Sequence, residues 1–143
     1  MIVRVLPDFD LMGEGGDWHP LTAEGPSHAR LAYTLVRQIV AQGFDVPESD
    51  FLERTHQRAF AWPRFGLVFW VRVYCKEPGV TSTGRALPMS FPAIAKRLGN
   101  MDHTSIVHAD QRARELWRDP SDGPFAAKMD RCWASFQEAI HAG

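Results

Sequence analysis

Cysteine is scarce in this sequence, and the spacings that give cysteine a structural or catalytic use are missing. The 143 residues include two cysteines, Cys75 and Cys132, which do not form a CxxC pair. A disulfide framework is therefore not expected, and a reduced, cytosolic protein is the simplest interpretation.

Long apolar runs are also missing. No stretch approaches the roughly 18 apolar residues that a membrane-spanning helix needs, and the start MIVRVLPDFD has acids where a secretory signal would continue apolar. The phosphate-binding pattern GxxxxGK[ST] is absent as well. With 45% hydrophobic and 23% charged residues, the composition predicts one ordinary soluble domain.

Charge is unevenly distributed, although the formal net charge is only −1. Residues 1–50 carry three basic and eight acidic side chains, a balance of −5, and residues 119–143 carry two basic and four acidic, a balance of −2. Residues 51–118 carry eleven basic and five acidic side chains, a balance of +6. A basic segment between acidic ends indicates a polyanionic partner, although lysine and arginine also simply solvate surfaces.

Glycine and proline divide the chain. Residues 1–26 are rich in both, which predicts an irregular arm. Residues 27–143 show helical periodicity and capping residues, which predict an all-α domain of about five or six helices. The predicted helices are 27–44, 46–54, 62–75, 90–99, 101–119 and 125–141.

Helix boundaries are predicted from individual residues. Ser27 is the expected N-cap of the first helix and Gly43 its end. Pro63 is expected in the first turn of helix 62–75, for which a strand is the alternative because the segment is rich in Val, Phe and Trp. The loop 76–89 follows on every criterion.

Residues 90–119 are predicted to form two helices joined by a very short turn. Ser90 is the expected N-cap of the first, with Pro92 in its first turn and Gly99 as its stop, and Asp102 is the N-cap of the second. The apolar face of that second helix consists of Ile106, Ala109, Ala113, Leu116 and Trp117.

The stretch GNMDHTSIVHA, residues 99–109, concentrates short hydrogen-bonding side chains at the start of the second helix. A metal centre, an acid–base catalytic site and a surface that contacts DNA bases all use such groups. In a helix-turn-helix, the second helix enters the major groove with its N-terminal residues toward the base edges. Asp102 can accept from a cytosine amino group, His103 can bond purine acceptors, and Thr104 and Ser105 suit several bases.

The other two kinds of site fit the spacing less well. Metal-binding histidines on a helix are four residues apart, as in HExxH, whereas His103 and His108 are five apart and point to different faces. Asp102 and His103 diverge on a helix, and no nucleophile motif accompanies them. No metal, cofactor or catalysis is therefore expected. A structural alternative stays open, in which Asp102 and Thr104 cap the helix; for His108 taken alone we prefer a hydrogen-bonded core histidine.

The segment SFPAIAKRLGNMDHTSIVHADQRARELW resembles the C-terminal DNA-binding domain of the bacterial replication initiator DnaA, whose hallmark has the form G-x-x-D-H-T-T-V-x-H-A. Upstream, FLERTHQRAFAWPRF resembles the family's basic loop and its Pro-Arg helix start, and residues 46–52 resemble the short helix before it. The resemblance covers roughly residues 38 to 118, and it implies that the final helix is present too.

The resemblance also implies roles for matching residues. One group is expected at bases or phosphates of the major groove in a DnaA-box-like site, a second near the adjacent minor groove, and a third near the DNA backbone. The major-groove group is Asp102, His103, Thr104 and Ser105, the minor-groove group is His56 and Arg58, and the backbone group is Arg64, Arg72, Phe91 and Pro92. Asn100, Met101 and His108 of the same motif are also expected to belong to the DNA-binding surface.

Three positions depart from the family pattern. Met101 and His56 stand where the family usually has arginine, and Trp62 replaces a usual basic residue before Pro63. The loop 76–89 is also about a dozen residues longer than in the family. Fewer cationic contacts should weaken phosphate-driven affinity, so either the preferred site has shifted or a partner supplements binding.

The missing phosphate loop implies a DNA-binding module separated from the initiator's ATPase. We therefore expect a sequence-specific, double-stranded DNA-binding regulatory protein of the cytoplasm and nucleoid. A transcription regulator, for example of a phage-like or gene transfer agent cluster, is favoured. The alternatives are a replication-initiation accessory protein at DnaA-box-like origin sites and a protein-interaction module that no longer binds DNA. The arm 1–26 or the loop 76–89 is where an RNA polymerase component or a replication protein would dock.

Overall fold

The structure, a computed structural model, describes residues 31–53, 57–78, 88–119 and 123–142. Over these ranges it is all-α, as predicted, and contains no strand, only an isolated antiparallel bridge between Lys76 and Pro88. The predicted arm 1–26, the boundary at residue 27 and most of the loop 76–89 lie outside the described residues. The elements are α1 (Tyr33–Phe44), a 3-10 helix (Glu48–Leu52), α2 (Arg58–Tyr74), α3 (Phe91–Arg97), α4 (His103–Arg118) and α5 (Gly123–Ala142).

The first helix is shorter than predicted at its N-terminus. It begins at Tyr33, after an extended Ala32 that provides no side-chain cap. The reason is tertiary, because the Leu31 backbone N–H donates to the Tyr74 carbonyl at 2.9 Å, at the end of α2. That bond holds Leu31 outside the helix, so the prediction that Leu31 and Ala32 are helical is wrong.

The sequence predicts that α1 ends at Gly43, but the helix continues for one more residue, to Phe44. Asp45 adopts the left-handed conformation with φ 58°, and the Val46 N–H donates to the Ala41 carbonyl at 3.0 Å, a six-to-one bond typical of a helix C-terminus. Gly43 instead marks the place where α1 and α5 approach each other. A Cβ added there would overlap the Cys132 sulfur and lie 3.4 Å from the Cys132 backbone nitrogen.

Replacing Gly43 by alanine is therefore expected to lower the free energy of unfolding by about 1–3 kcal/mol, the usual cost of overpacking a core. The higher helix propensity of alanine, worth about 1 kcal/mol, offsets only part of this loss. Gly123→Ala is the matched control, because an added Cβ at Gly123 meets no atom within 4 Å. Urea denaturation of the two variants should show a clearly lower midpoint for Gly43→Ala; equal midpoints would contradict the close approach.

Helix α2 is the centre of the domain. Its residues 67–71 are fully buried, and it packs against α1, α4 and the 3-10 helix, which confirms the predicted helix that is buried all round. The strand alternative is wrong. Pro63 lies inside the helix rather than in its first turn, because the Phe60 and Ala61 N–H groups both donate to the Gln57 carbonyl and so start the helix earlier.

Helices α3 and α4 are joined by a short turn over residues 98–102. The Ser90 side chain caps α3 by accepting from the Ala93 N–H at 3.3 Å, as predicted. Helix α5 packs against α1 and α4, and the Trp117 indole N–H donates to Asp130 at 3.1 Å. The predicted inner face of α4 is confirmed, since all of its members are buried: Ile106, Ala109, Ala113, Leu116 and Trp117.

Both cysteines are free and buried, in agreement with the expected absence of a structural disulfide. Burial raises the pKa of Cys75 and of Cys132 to about 12. A thiol with such a pKa carries almost no thiolate at neutral pH, so neither side chain is a nucleophile there.

Candidate nucleic-acid interface

The turn before α4 places the first turn of that helix at the surface. Gly99 and Asn100 both adopt the left-handed conformation, with φ values of 75° and 58°. The Met101 N–H donates to the Ala95 carbonyl at 3.0 Å and closes α3. Gly99 is thus the stop that the sequence predicts, since only glycine and, less often, asparagine adopt this conformation readily.

Four consecutive polar side chains project from this helix start. Asp102, His103, Thr104 and Ser105 are all exposed, and none of them hydrogen-bonds to another residue in the described part of the chain. Asp102 occupies the N-cap position, but its side chain makes no capping bond. The structural alternative, in which these side chains serve mainly to cap the helix, is therefore not what the geometry shows. Their donors and acceptors are available to a ligand, beside the positive end of the helix dipole.

His108 is exposed, so the interpretation of this residue as a core histidine is wrong. It lies one and a half turns beyond His103 on α4, and its ring stands edge-on to Phe65 with 6.3 Å between centroids. The nearest ring to His103 is a different one, Phe91 of α3, at 6.4 Å. The two imidazoles thus face separate neighbours, and no cluster of three metal-ligating side chains occurs among the described residues.

A groove of about 500 Å³ runs between α2 and the start of α4. It brings together several residues that the sequence placed at the DNA, but its walls are partly apolar. The lining residues are Ala61, Arg64, Phe65, Met101, Asp102, Thr104, Ser105, His108 and Ala109. The prediction missed Phe65, because an aromatic residue inside an apolar run is normally core. Its position next to Pro63 and Arg64, where the sequence resembles the family's Pro-Arg motif, was the available signal.

Arg64 is turned inward. It is 8% exposed, its guanidinium donates to the Glu53 carbonyl at the end of the 3-10 helix, and burial lowers its pKa. The remaining surface of Arg64 lines the groove. This arginine therefore anchors the 3-10 helix to α2 and presents little of its charge to solvent.

Arg72 and Phe91 contact each other. The Arg72 guanidinium lies over the Phe91 ring, 4.5 Å from its centroid, and donates to the Met89 carbonyl at 2.9 Å. Burial is the main cause that lowers the pKa of Arg72. Phe91 is half-buried, whereas Pro92 is exposed and borders a second groove of about 410 Å³ together with Lys96 and Arg97.

The side chains of two members of the predicted site lie outside the described structure. His56 lies outside the described residues. The backbone of Arg58 forms the first residue of α2, but its side chain is likewise outside the description. The minor-groove role of the loop that holds them remains a prediction.

Comparisons with known proteins support the sequence resemblance. Over 93 residues the chain is 26% identical to the chromosomal replication initiator protein DnaA of Symbiobacterium thermophilum, covering 64% of this chain and 18% of that protein. Over 87 residues it is 25% identical to the DnaA proteins of Brucella abortus and Brucella suis, covering 61% of this chain and 15% of each. The chain thus spans less than a fifth of these curated relatives, as expected for similarity to one domain. No family model and no solved structure matches.

Proposed function

We propose that this protein binds double-stranded DNA in a sequence-specific manner through the N-terminal turn of α4 and regulates transcription. The observation that carries the proposal is the row of four exposed polar side chains, from Asp102 to Ser105, at the start of a helix whose opposite face is buried. Side chains of these types can bond base edges in the major groove. Helix α3 and the turn over residues 98–102 then complete a helix-turn-helix.

Similarity to DnaA proteins supports the same proposal, since the alignment covers 64% of this chain. No catalytic step belongs to it. None of the described helices has the length and apolar character needed to cross a bilayer. Because the proposed ligand is DNA, we also propose that the protein is associated with the nucleoid.

The altered basic positions favour transcription over replication as the role. Met101 is half-buried and lines the groove beside α2, where the family pattern has an arginine, so this chain offers apolar surface at a place where a cation would meet phosphate. A different contact at this position implies a different preferred site. The second candidate role, as an accessory at replication origins, is supported by the replication function in the names of the relatives.

Selection of bound duplexes from a random pool at about 150 mM salt separates these roles, because at that salt phosphate contacts alone give weak binding. A defined site unlike the DnaA box is the expected result and supports a dedicated regulator. Enrichment of the DnaA box would instead favour the origin accessory. Failure to enrich any site, with the protein folded by circular dichroism, would contradict DNA reading and leave protein interaction as the function of the module.

A further inference from the structure

Arg72 uses its guanidinium inside the protein. One nitrogen donates to the Met89 carbonyl at 2.9 Å, and the planar group lies 4.5 Å from the centre of the Phe91 ring. The side chain is half-buried, so much of its hydration has been replaced by these two contacts. An arginine held in this way has little freedom to reach a phosphate, which is the role that the sequence resemblance implies for it.

Phe91 carries the effect of Arg72 to the proposed DNA surface. It is the first residue of α3, and its ring meets the His103 imidazole with 6.4 Å between centroids and 44° between planes. This separation lies within the usual range for interacting aromatic rings. His103 is exposed and forms no hydrogen bond to the described residues, so the Phe91 ring is its side-chain contact in the described part of the chain.

The far end of α3 is fixed independently. The Arg97 guanidinium lies 4.9 Å from the centre of the Tyr33 ring, and Tyr33 is buried in the core. Helix α3 is thus held at its first residue by α2 and at its last residue by α1. It cannot shift freely to follow a reorienting His103.

We propose that Arg72 and Phe91 are positioning residues that fix the His103 imidazole for base recognition, and that Arg72 contributes to sequence specificity rather than to phosphate binding. This inference rests on the proposed function, and it differs from the backbone contact that the family resemblance implies. The Met89 carbonyl holds the Arg72 guanidinium, the guanidinium holds the Phe91 ring, and the ring orients the His103 imidazole. Preorganisation of this kind improves discrimination because the side chain loses less freedom when it meets the correct base.

Binding measurements separate the two roles of Arg72. We expect Arg72→Gln and Phe91→Leu each to weaken binding to the selected duplex by roughly two- to tenfold, the size of the cost of ordering one side chain on binding. Binding to a scrambled duplex and the salt dependence should stay unchanged. The double variant should lose less than the product of the single losses, because both act through one ring. If Arg72→Gln instead lowered the salt slope by about one and weakened both duplexes equally, Arg72 would be a phosphate contact and the inference would be wrong.

A second measurement uses the free protein and does not depend on DNA. In proton NMR spectra, the His103 imidazole signals, assigned by their loss in His103→Ala, should shift in both Arg72→Gln and Phe91→Leu. The His108 signals should stay in place, and Phe65→Leu should produce the opposite pattern. Lys96→Ala, which removes an exposed cation from α3, is the matched control and should move neither. An unmoved His103 in both variants would overturn the inference, even in a protein that binds its site as proposed.

The two failures are distinguishable. If the wild-type protein selects no DNA site but the His103 signals respond as expected, the positioning contacts exist and the proposed function is what fails. If the protein selects a site but His103 does not respond, the function stands and the positioning role falls. Glutamine at position 72 keeps an amide donor for the Met89 carbonyl, so this variant is expected to fold.

Discussion

A protein in which both His103 and Thr104 are alanine is expected to keep its helices and its general affinity for DNA but to lose its preference for the selected site. Removing a side chain that bonds a base edge leaves a buried polar group unpaired, at a typical cost of about 1–3 kcal/mol. Loss of two should therefore reduce the ratio of specific to non-specific affinity by roughly two to four orders of magnitude. The change is large because binding to the phosphates, which carry no sequence information, is left intact.

The helical content should survive this double substitution. Both side chains are exposed and neither belongs to the buried face of α4, and alanine is the best helix former. Fluorescence anisotropy with the selected and a scrambled duplex, together with far-ultraviolet circular dichroism, measures both effects. Gln38→Ala combined with Gln42→Ala is the matched control, because it removes two exposed polar side chains from α1 instead. A double variant at 103 and 104 that still prefers the selected duplex would refute the placement of the recognition surface.

Arg58→Ala is expected to give the opposite result in the same assay, a loss of affinity without a loss of specificity. If Arg58, which the resemblance places near the minor groove, attaches the protein through phosphates, Arg58→Ala should weaken binding to both duplexes equally and reduce the salt slope by about one. A change in base preference alone would mean that this residue contacts bases. The two variants together separate residues that specify the sequence from residues that only attach the protein.

Local sequence signals were sufficient for the region that matters most to this proposal. The capping bond of Ser90, the left-handed Gly99 and the inner face of α4 all depend on residues close together in the chain. Each has a single low-energy solution: a hydroxyl that accepts from the third amide of a helix, a residue without a Cβ, and apolar groups at helical spacing. The first turn of α4 was therefore placed correctly from sequence alone.

Contacts between distant segments decided what the sequence did not predict. The start of α1 is set by the Tyr74 carbonyl, more than 40 residues away. The need for glycine at position 43 is set by the Cys132 sulfur on α5. The direction of the arginine side chains is a problem of the same kind. Arg64 and Arg72 fold back onto backbone carbonyls, and nothing in a local pattern distinguishes such an arginine from one that faces DNA, because the flexible side chain can do either.

The largest loss of stability is expected at Trp70, where alanine should lower the free energy of unfolding by about 3–5 kcal/mol, as is typical of a buried tryptophan or phenylalanine. Trp70 is completely buried in the C-terminal half of α2. Rings from α2, α4 and α5 surround it, with centroids between 4.9 and 6.0 Å from its own: Phe69, Tyr74, Trp117, Trp133 and Phe136. Trp70 thus joins three helices through ring contacts alone.

A milder substitution tests which part of the indole matters. The Trp70 N–H is buried without a hydrogen-bond partner in the described structure, so Trp70→Phe removes an unpaired donor and should recover a large part of the stability lost in Trp70→Ala. Trp117→Phe is the matched comparison, because Trp117 is equally buried but donates to Asp130 at 3.1 Å. Removing that donor takes one hydrogen bond away from a half-buried carboxylate, at a typical cost of about 1–3 kcal/mol.

Trp117→Phe should therefore be the more damaging of the two conservative changes, although both remove the same atoms. Thermal and urea unfolding followed by circular dichroism measure the difference, and binding of the folded variants to the selected duplex should be unchanged. If Trp70→Phe proved as damaging as Trp70→Ala, the indole N–H would have a partner in solution and the packing of this ring would not be the main source of its contribution. If Trp70→Ala cost less than about 1 kcal/mol, a value typical of surface positions, α2 would not be the centre of the core.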